Sequence, residues 1–247
     1  MATAVLVDGG FFVKRFRRIE PHNAYNAQRA ADLVCRWAAA HLGQGGERRQ
    51  LYRIFFYDCP PLTKKLFDFL AKKTIDFSRS GEAVFRNALH AELRRRRKVA
   101  LRLGHLSDSA SWTVAPDLLQ DILKGKVPVS SLTSNDLVLN VRQKGVDMRI
   151  GIDISSLALK RQVDQIVLVA GDADFVPAAK LARREGIDFI LDPLWATVPS
   201  GLSEHIDGMR TVCPKPKPKA TSTATAGAAV AATAPAGPGS TPANGGP

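Results

Sequence analysis

The stretch VLVAGDADFVPAAKLARREGIDFIL, residues 167–191, contains the features that decide the fold. The apolar, β-branched run at residues 166–170 is typical of a buried strand, and residues 188–191 have the same character. Between them, residues 175–185 have helical periodicity, with Pro177 in the first turn, where the missing N–H costs no hydrogen bond. A strand, a helix and a second strand in this order predict a parallel βαβ unit.

The same alternation extends outward from this stretch to most of the chain. Further strands are predicted at residues 4–7, 52–57 and 99–103, and further helices at residues 27–41, 62–72, 81–98 and 148–160. We therefore expect an α/β fold with a mostly parallel central sheet that helices cover on both faces. Residues 104–140 break the pattern with Pro116, Pro128 and a serine-rich run, which predicts an irregular insertion containing one short helix.

The end of the chain differs from the rest in composition. From Cys213 onward it consists mainly of Pro, Ala, Thr, Gly and Lys, and its only large apolar side chain is Val230. Such a segment cannot bury enough surface to offset the entropy of ordering. We expect one domain at residues 1–212 and a disordered tail at residues 213–247, whose PKPKPK stretch is a solubilising linker or a contact for RNA or a membrane.

The chain is strongly basic, with a formal charge of +12, and its 45% hydrophobic content fits a globular protein. Without the tail's three lysines, the predicted domain has 32 basic and 23 acidic residues and still carries +9. A basic protein concentrates polyanions, which indicates nucleic acid or an anionic membrane surface as partner. No apolar run approaches the roughly 20 residues of a spanning helix, and none near the start resembles a signal-peptide core, so we expect a cytoplasmic protein.

Aspartates follow two of the predicted strands and precede one predicted helix. Asp8 ends the first strand and is followed by two glycines, at a position where open α/β sheets present site residues. Asp172 and Asp174 follow the strand at residues 166–170 and project to the same side if the chain there is extended. Asp147 directly precedes the predicted helix at residues 148–160. Each of them could instead close a turn or cap a helix, and for Asp174 that reading is as good as a site role.

The carboxyl ends of parallel strands meet at one edge of a sheet, so we expect four carboxylates to converge there: Asp8, Asp147, Asp172 and Asp174. Clustered carboxylates repel one another until protons or cations relieve them, and an all-oxygen site prefers Mg²⁺ or Mn²⁺. Zinc is not expected, because the cluster has no histidine and the three cysteines are widely spaced, odd in number and predicted to be reduced thiols. Asp153 lies about 240° around the helix from Asp147 and should face elsewhere.

Three segments resemble the bacterial NYN-domain proteins of the PIN-like nuclease superfamily. They are VLVDGGFF at residues 5–12, KGVDMRIGIDI at residues 144–154 and the stretch at residues 167–191. LSEHIDGM at residues 202–209 is similar to the closing helix of that family, whereas residues from about 75 to 140 match it much less well. The resemblance implies a PIN-like three-layer fold and a divalent-metal ribonuclease site.

By motif position, the resemblance implies that the acids of this site, catalytic and metal-binding, are Asp8, Asp147, Asp172 and Asp174. Asp153 also matches a recurrent acid of the family, with its role open. PIN-like enzymes often carry another acid after strand two, for which Asp68 is only a loose match, and we do not assign it. At a site of this type a metal-bound water attacks phosphorus while the cation offsets charge on the phosphate.

Basic side chains near the proposed site are candidates for binding the phosphates of single-stranded RNA. They are Arg15, Arg17 and Arg18 after the Asp8 loop, and Arg142 and Lys144 before Asp147. The RRRRK run at residues 94–98 is as typical of a solvated helix end as of a phosphate site. Phe11 and Phe12 could stack on bases, although we expect at least one of them in the core.

Other classes of site fit the sequence less well. A toprim-type site requires glutamate where the first strand ends in Asp8, and a haloacid-dehalogenase-like phosphatase requires aspartate where Gly10 stands. No GxxxxGKS or GxGxxG motif indicates nucleotide binding. The remaining alternative to a ribonuclease is an RNA-binding regulatory protein with a nuclease-like fold and little turnover, and the intact aspartates favour the enzyme. DNA as a substrate and a homo-oligomer remain open.

Overall fold

A parallel sheet of six strands forms the centre of the protein in the computed structural model, which describes residues 1–44, 47–107 and 109–217. Its strands are β1 Ala2–Asp8, β2 Gln50–Asp58, β3 Val99–Leu103, β4 Gln165–Val169, β5 Asp188–Asp192 and β6 Gly208–Met209. They lie side by side in the order β6-β5-β4-β1-β2-β3, and every neighbouring pair is parallel. In this doubly wound order the direction of the chain reverses between β1 and β4.

Helices cover both faces of the sheet, as expected. In the described residues they are α1 Gly9–Ile19, α2 Ala27–Ala40, α3 Gly81–Arg95, α4 Pro116–Leu123, α5 Val146–Leu159, α6 Val176–Arg184 and α7 Ser200–Ser203. One apolar layer joins α1, α2 and α3 to the sheet, and a second layer joins α5 and α6 to its other face. The predicted three-layer α/β fold is therefore confirmed.

Strand β1 shows why the sheet must be covered twice. Its residues Ala4, Leu6, Val5 and Val7 are all buried, so the strand reads as a continuous apolar run. Ala4 and Leu6 belong to the layer with α5, whereas Val5 and Val7 belong to the layer with α1. Alternate side chains of one strand thus enter opposite cores, which fixes the register of β1 between its two neighbours.

The helix predicted at residues 62–72 is wrong. The structure has an antiparallel hairpin there, Lys65–Asp68 paired with Lys73–Asp76. Asp68 explains the difference, because its carboxylate accepts hydrogen bonds from the backbone N–H groups of Leu70 and Ala71, both at 2.9 Å, and closes the turn. Asp68 is thereby a structural residue of the hairpin.

Helix α1 was not predicted, because its first two residues are glycines. Its N-terminus is capped by Asp8, and its apolar side chains Phe12, Val13 and Phe16 recur at helical spacing and are buried. Phe12 contacts the rings of Phe16, Trp37 and Phe56, so it is a core residue and not a base-stacking one.

The hairpin Lys65–Asp76, between β2 and α3, is a first insertion at the carboxyl edge of the sheet, and the residues between β3 and α5 form a second insertion at the same edge. It contains α4 and two short antiparallel pairs, Ser111–Val114 with Leu137–Asn140 and His105–Leu106 with Gln143–Lys144. A further short pair joins Gly43–Gln44 to Glu47–Arg48. Short 3₁₀ turns lie at Pro21–Asn23, Phe77–Arg79, Val129–Ser131, Ser134–Asp136 and Ala173–Phe175.

The packed chain extends beyond the predicted domain boundary at residue 212. Cys213 is buried in the layer with α1, and its carbonyl accepts a hydrogen bond from Trp195 Nε1 at 2.8 Å. The rest of the predicted tail, residues 218–247, lies outside the described residues. The three cysteines, Cys35, Cys59 and Cys213, are free thiols. Among the described helices, none has the length and apolarity needed to cross a membrane.

Candidate metal centre

The candidate centre lies at the carboxyl edge of the sheet, between β1 and β4. The chain leaving β1 enters α1 on one face, whereas the chain leaving β4 passes through the turn Ala173–Phe175 into α6 on the other face. Because the two connections diverge, a crevice opens between the strand ends, and open α/β sheets bind ligands at this point.

Asp8 is the last residue of β1 and the N-cap of α1. Its carboxylate accepts a hydrogen bond from the backbone N–H of Phe11 at 3.1 Å. Burial raises the pKa of Asp8 to about 6, and the negative charge of Asp147 contributes, although the Phe11 hydrogen bond acts in the opposite direction. The next residue must be glycine, since a Cβ on Gly9 would lie 2.6 Å from the carbonyl oxygen of Tyr57.

Asp172 and Asp174 follow β4 and are both exposed. The carboxylate of Asp172 caps the short turn after the strand by accepting from the N–H of Asp174 at 3.2 Å. Helix α6 has no side-chain cap, so the alternative that Asp174 caps this helix is not realised. Phe11 packs its ring against Gly171, where a Cβ would come within 2.5 Å of it, and so supports the loop that carries both aspartates.

Asp147 lies in the first turn of α5, after Gly145 in the left-handed conformation with φ of 79°. It is therefore not the N-cap that sequence alone allowed. Its side chain is largely exposed, yet its pKa is raised, first by partial burial and then by the charges of Asp172 and Asp174. Charge repulsion therefore connects all four predicted carboxylates, because the charge of Asp147 also contributes to the raised pKa of Asp8.

These four carboxylates lack basic partners. In the part of the chain that the structure describes, none of them forms an ion pair with lysine, arginine or histidine. Across the same residues, no three Asp, Glu, His or Cys side chains are arranged as a ready-made metal-ligand group. Their oxygen atoms are nevertheless the donors that Mg²⁺ and Mn²⁺ prefer, and a cation would offset the repulsion that raises the pKa of Asp8 and Asp147.

Asp58 is a buried aspartate at this edge that the sequence analysis missed. It ends β2, beside Asp8, and it binds Nη1 of Arg86 and Nε2 of His90, the latter at 2.7 Å. Burial alone would raise its pKa, but the bonds from His90 and Arg86 outweigh burial and hold the pKa below its ordinary value. The available signal was the strand run ending in FFYD, which parallels VLVD in β1.

Asp192 at the end of β5 was also missed, and it likewise has partners within the protein. Its Oδ2 lies 2.8 Å from Nε2 of His41, and its Oδ1 accepts from the N–H of Leu194 at 2.9 Å. Asp192 and His41 are both fully buried. The outer aspartates of this edge thus have histidine or arginine partners, whereas Asp8 and Asp172 at the switch point bind only backbone N–H groups in the part of the chain that the structure describes.

Asp153 faces away from the crevice, as its helical position predicted. Its Oδ2 accepts from the hydroxyl of Tyr57 at 2.7 Å and lies 3.3 Å from Nε of Arg102. These bonds join α5 to β2 and β3, and the hydrogen bond to Asp153 adds to burial in raising the pKa of Tyr57. Asp153 is therefore a packing residue of this structure.

Two of the arginines predicted to bind RNA belong to the fold instead. Arg15 is buried, and its Nε and Nη2 both donate to the carbonyl oxygen of Leu194, at 2.8 and 2.6 Å. Arg17 donates to Glu82 at 2.5 Å, and its guanidinium lies over the ring of Tyr25. Because their charged groups already have partners within the protein, we do not assign either arginine to the substrate. Arg18 is exposed.

The basic run at residues 94–98 lies far from the crevice in topology. It joins the end of α3 to the start of β3, at the amino edge of the sheet, whereas the aspartates lie at the carboxyl edge. Arg96 is paired with Asp32 at 2.6 Å, and Arg95 with Glu92 at 3.3 Å. The run is therefore the solvated end of a helix, which is the alternative to a phosphate site that the sequence allowed.

Arg142 and Lys144 are exposed and lie on the approach to Asp147. They flank Gln143, whose side-chain oxygen would be 4.0 Å from a Cβ on Gly10, so this segment runs beside the Asp8 loop. Both line an open polar cleft of about 260 Å³, together with Ser107, Ser109, Ser111 and Asn140. A cleft with two cations and several hydroxyl groups suits an anion such as phosphate.

A doubly wound parallel sheet with aspartates at its switch point defines this protein as an α/β protein with a candidate metal site. The sequence pattern of the NYN domain, a PIN-like domain, matches residues 56–196, and the chain belongs to this family. Asp147, Asp172 and Asp174 lie within the matched range, whereas Asp8 precedes it. NYN domains have a nuclease-like fold typical of metal-dependent ribonucleases.

Comparison with curated proteins gave no match. Among solved structures, the chain is similar to a protein of unknown function, VPA0982 from Vibrio parahaemolyticus, at 15% identity and a TM-score of 0.40. The aligned part covers 85% of this chain and 92% of that one.

Proposed function

We propose that this protein is a ribonuclease that hydrolyses phosphodiester bonds of RNA and depends on Mg²⁺ or Mn²⁺. The observation that carries the proposal is the contrast along one edge of the sheet. Asp58 and Asp192 have His or Arg partners, whereas the switch-point carboxylates have none among the residues that the structure describes. A fold that pairs its outer aspartates with His or Arg and leaves the central ones repelling one another is suited to a cation that arrives from solvent.

The residues that would hold the metal are Asp8, Asp147, Asp172 and Asp174. A bound divalent cation supplies a water of lowered pKa and offsets negative charge on the phosphate. Asp8 and Asp172 are each fixed by a backbone N–H bond, so their carboxylates are oriented before the cation binds. Membership of the NYN family supports RNA as the substrate.

Arg142, Lys144 and Arg18 are the exposed cations that we assign to the substrate. Arg142 and Lys144 line the polar cleft on the approach to Asp147, so they would attract the backbone of RNA independently of its sequence. Without a cation, the carboxylates repel phosphate. Cleavage therefore requires both the basic side chains and the metal.

A cleavage assay tests the proposal. Wild type should cut single-stranded RNA with Mg²⁺ or Mn²⁺ and not with EDTA, and Asp172→Asn should lower the rate by more than about a hundredfold, the loss that even outer partners of metal ligands reach. Asp32→Asn is the matched control, since Asp32 pairs with Arg96 away from the crevice, and it should cut normally.

Three outcomes would contradict the proposal. Equal cleavage by wild type and Asp172→Asn would place the activity elsewhere. Cleavage of DNA in preference to RNA would change the substrate. RNA binding with no cleavage under any metal condition would support the alternative of an RNA-binding regulatory protein.

A further inference from the structure

The hairpin Lys65–Asp76 exposes an aromatic pair that packing does not explain. Phe67 is 47% exposed and Phe69 is 71% exposed, and their ring centroids lie 5.4 Å apart in an edge-to-face arrangement. Leu70 beside them is also exposed. Large apolar side chains grouped on the surface mark a site of interaction more often than single ones do.

The backbone beneath these rings is held in place. Asp68, between the two phenylalanines, is buried and binds the N–H groups of Leu70 and Ala71. Trp112 of the second insertion donates from Nε1 to the carbonyl of Phe67 at 2.9 Å, and its ring packs against Phe77 at 6.0 Å. The two insertions therefore support each other and present Phe67 and Phe69 on a fixed backbone, which lowers the entropy lost when a ligand binds.

The charge around the rings is positive. Lys65, Lys72 and Lys73 of the hairpin are exposed. Its two acids, Asp68 and Asp76, stay charged and are held in turns by N–H groups and the Ser78 hydroxyl, so the hairpin as a whole carries a net charge of +1. An exposed aromatic pair among lysines complements a polyanion that carries flat apolar groups, which is the chemistry of single-stranded nucleic acid.

The hairpin is attached at both ends to the edge that carries the candidate centre. It leaves β2 shortly after Asp58, and it leads into α3, which returns Arg86 to bind Asp58. Asp58 in turn lies against Gly9, because a Cβ built on Gly9 would be 3.0 Å from the Cβ of Asp58. The hairpin that carries the aromatic pair is thus connected, through Asp58, to the residues around Asp8.

We propose that Phe67 and Phe69, with Lys65, Lys72 and Lys73, form a stacking platform that holds single-stranded RNA beside the aspartates. This inference rests on the proposed function, since it describes how that substrate is bound. Unpaired bases stack on exposed rings whatever their identity, whereas the bases of a duplex are already stacked on each other. The platform therefore selects single strands without selecting a sequence.

The test compares binding of a labelled single-stranded RNA and of the same RNA as a duplex, by fluorescence anisotropy in EDTA with the full chain. The Phe67→Ala, Phe69→Ala variant should bind the single strand at least about fivefold more weakly for each ring removed, and the duplex equally well. Leu159→Ala, which truncates an equally exposed apolar residue of α5, is the control and should bind like wild type. Melting temperature confirms that the variants fold.

Unchanged affinity of the double variant for the single strand would overturn the platform. So would equal weakening for single strand and duplex, or a change in the protein's solution mass without a change in RNA affinity, which would assign the rings to contact between copies of the chain. These outcomes are separate from the nuclease assay. Ring-dependent binding without cleavage would contradict only the proposed function, and cleavage with ring-independent binding would contradict only the platform.

Discussion

At the scale of single residues, the carboxyl edge of the sheet has two kinds of aspartate. Asp58 and Asp192 are buried, and each has a histidine partner and a second donor within the protein. Asp8 and Asp172 are held only by backbone N–H groups. A negative charge in a partly buried place without a counter-charge is unfavourable, and protons or cations relieve it. The unpaired aspartates are therefore the ones that we propose as metal ligands.

The raised pKa of Asp8 predicts a stability change with pH in metal-free protein. The folded form binds a proton up to about pH 6, whereas the unfolded form loses it near 3.8, so stability falls as pH rises through this window. Asp8→Asn keeps the N-cap and removes the charge. In EDTA at about pH 7 it should exceed wild type by up to about 3 kcal/mol, and at about pH 4 the difference should vanish. Thermal denaturation at both pH values checks this, and a variant less stable than wild type at pH 7 would contradict it.

The two kinds of aspartate should also respond differently to neutralisation. Asp58→Asn removes the buried carboxylate that pairs with Arg86 and His90 and leaves Arg86 with Glu82 alone, and breaking a buried pair costs about 3–5 kcal/mol. Asp172→Asn keeps the cap of its turn and is exposed, so it should change stability by less than about 0.5 kcal/mol. Urea denaturation in EDTA measures both. Similar losses for the two variants would show that Asp172 is also a structural residue.

At the scale of elements, the same helix can hold a site residue at one end and a structural arginine further along. Helix α1 presents Asp8 at its N-terminus, and its body turns Arg15 inward to the carbonyl of Leu194. The strand Gln143–Lys144 instead keeps its side chains exposed beside the same crevice. Proximity to Asp8 along the sequence therefore does not decide which cations face RNA.

Alanine variants separate these roles. Arg142→Ala, Lys144→Ala should weaken RNA binding and reduce the slope of log affinity against log salt by about 1.4, or about 0.7 for each phosphate that is no longer neutralised, with the melting temperature unchanged. Arg15→Ala should lower stability by about 1–3 kcal/mol, because it leaves a buried carbonyl unpaired. Anisotropy over a salt series and thermal denaturation test both expectations. An unchanged salt slope in the double variant would exclude the cleft from binding.

Much of the fold could be predicted where a segment has one periodicity. The strands around residues 166–170 and 188–191 and the helix between them were found because their apolar runs and Pro177 agree with each other. The prediction for residues 62–72 failed because the sequence LFDFLAKK, residues 66–73, fits a helix and a strand equally well. The turn between the two strands depends on the side chain of Asp68. Helix α1 begins with two glycines, and because glycine has a low helix propensity the sequence did not indicate where this helix starts.

The four aspartates of the candidate site could be predicted from sequence, because they follow from strand ends and motif order. The partners of the aspartates and arginines around it could not be predicted. That Asp58 has partners and Asp8 does not depends on Arg86 and His90, which lie 28 and 32 residues beyond Asp58. The burial of Arg15 depends on Leu194, which is 179 residues away. Contacts at such separations are set by the packed fold, and no local pattern indicates them.

At the scale of the whole molecule, the order of the strands creates the crevice. The packed part of the chain includes Cys213, beyond the predicted domain boundary. Truncation tests this boundary. Ending the chain after Lys217 should leave the melting temperature unchanged, since the removed segment has little apolar surface. Ending it after Val212 removes the buried Cys213 and the acceptor of Trp195 Nε1, and should lower the melting temperature by several degrees. Equal melting temperatures would place the boundary where composition alone put it.

Calorimetric titration with Mn²⁺ tests the central claim most directly, because it measures the proposed metal site without depending on the choice of RNA. Wild type should bind Mn²⁺ with a saturable heat. Asp8→Asn, Asp172→Asn should lose that heat while remaining folded, and Asp32→Asn should retain it. Equal Mn²⁺ binding by wild type and the Asp8, Asp172 double variant would contradict the account and place any metal elsewhere in the protein.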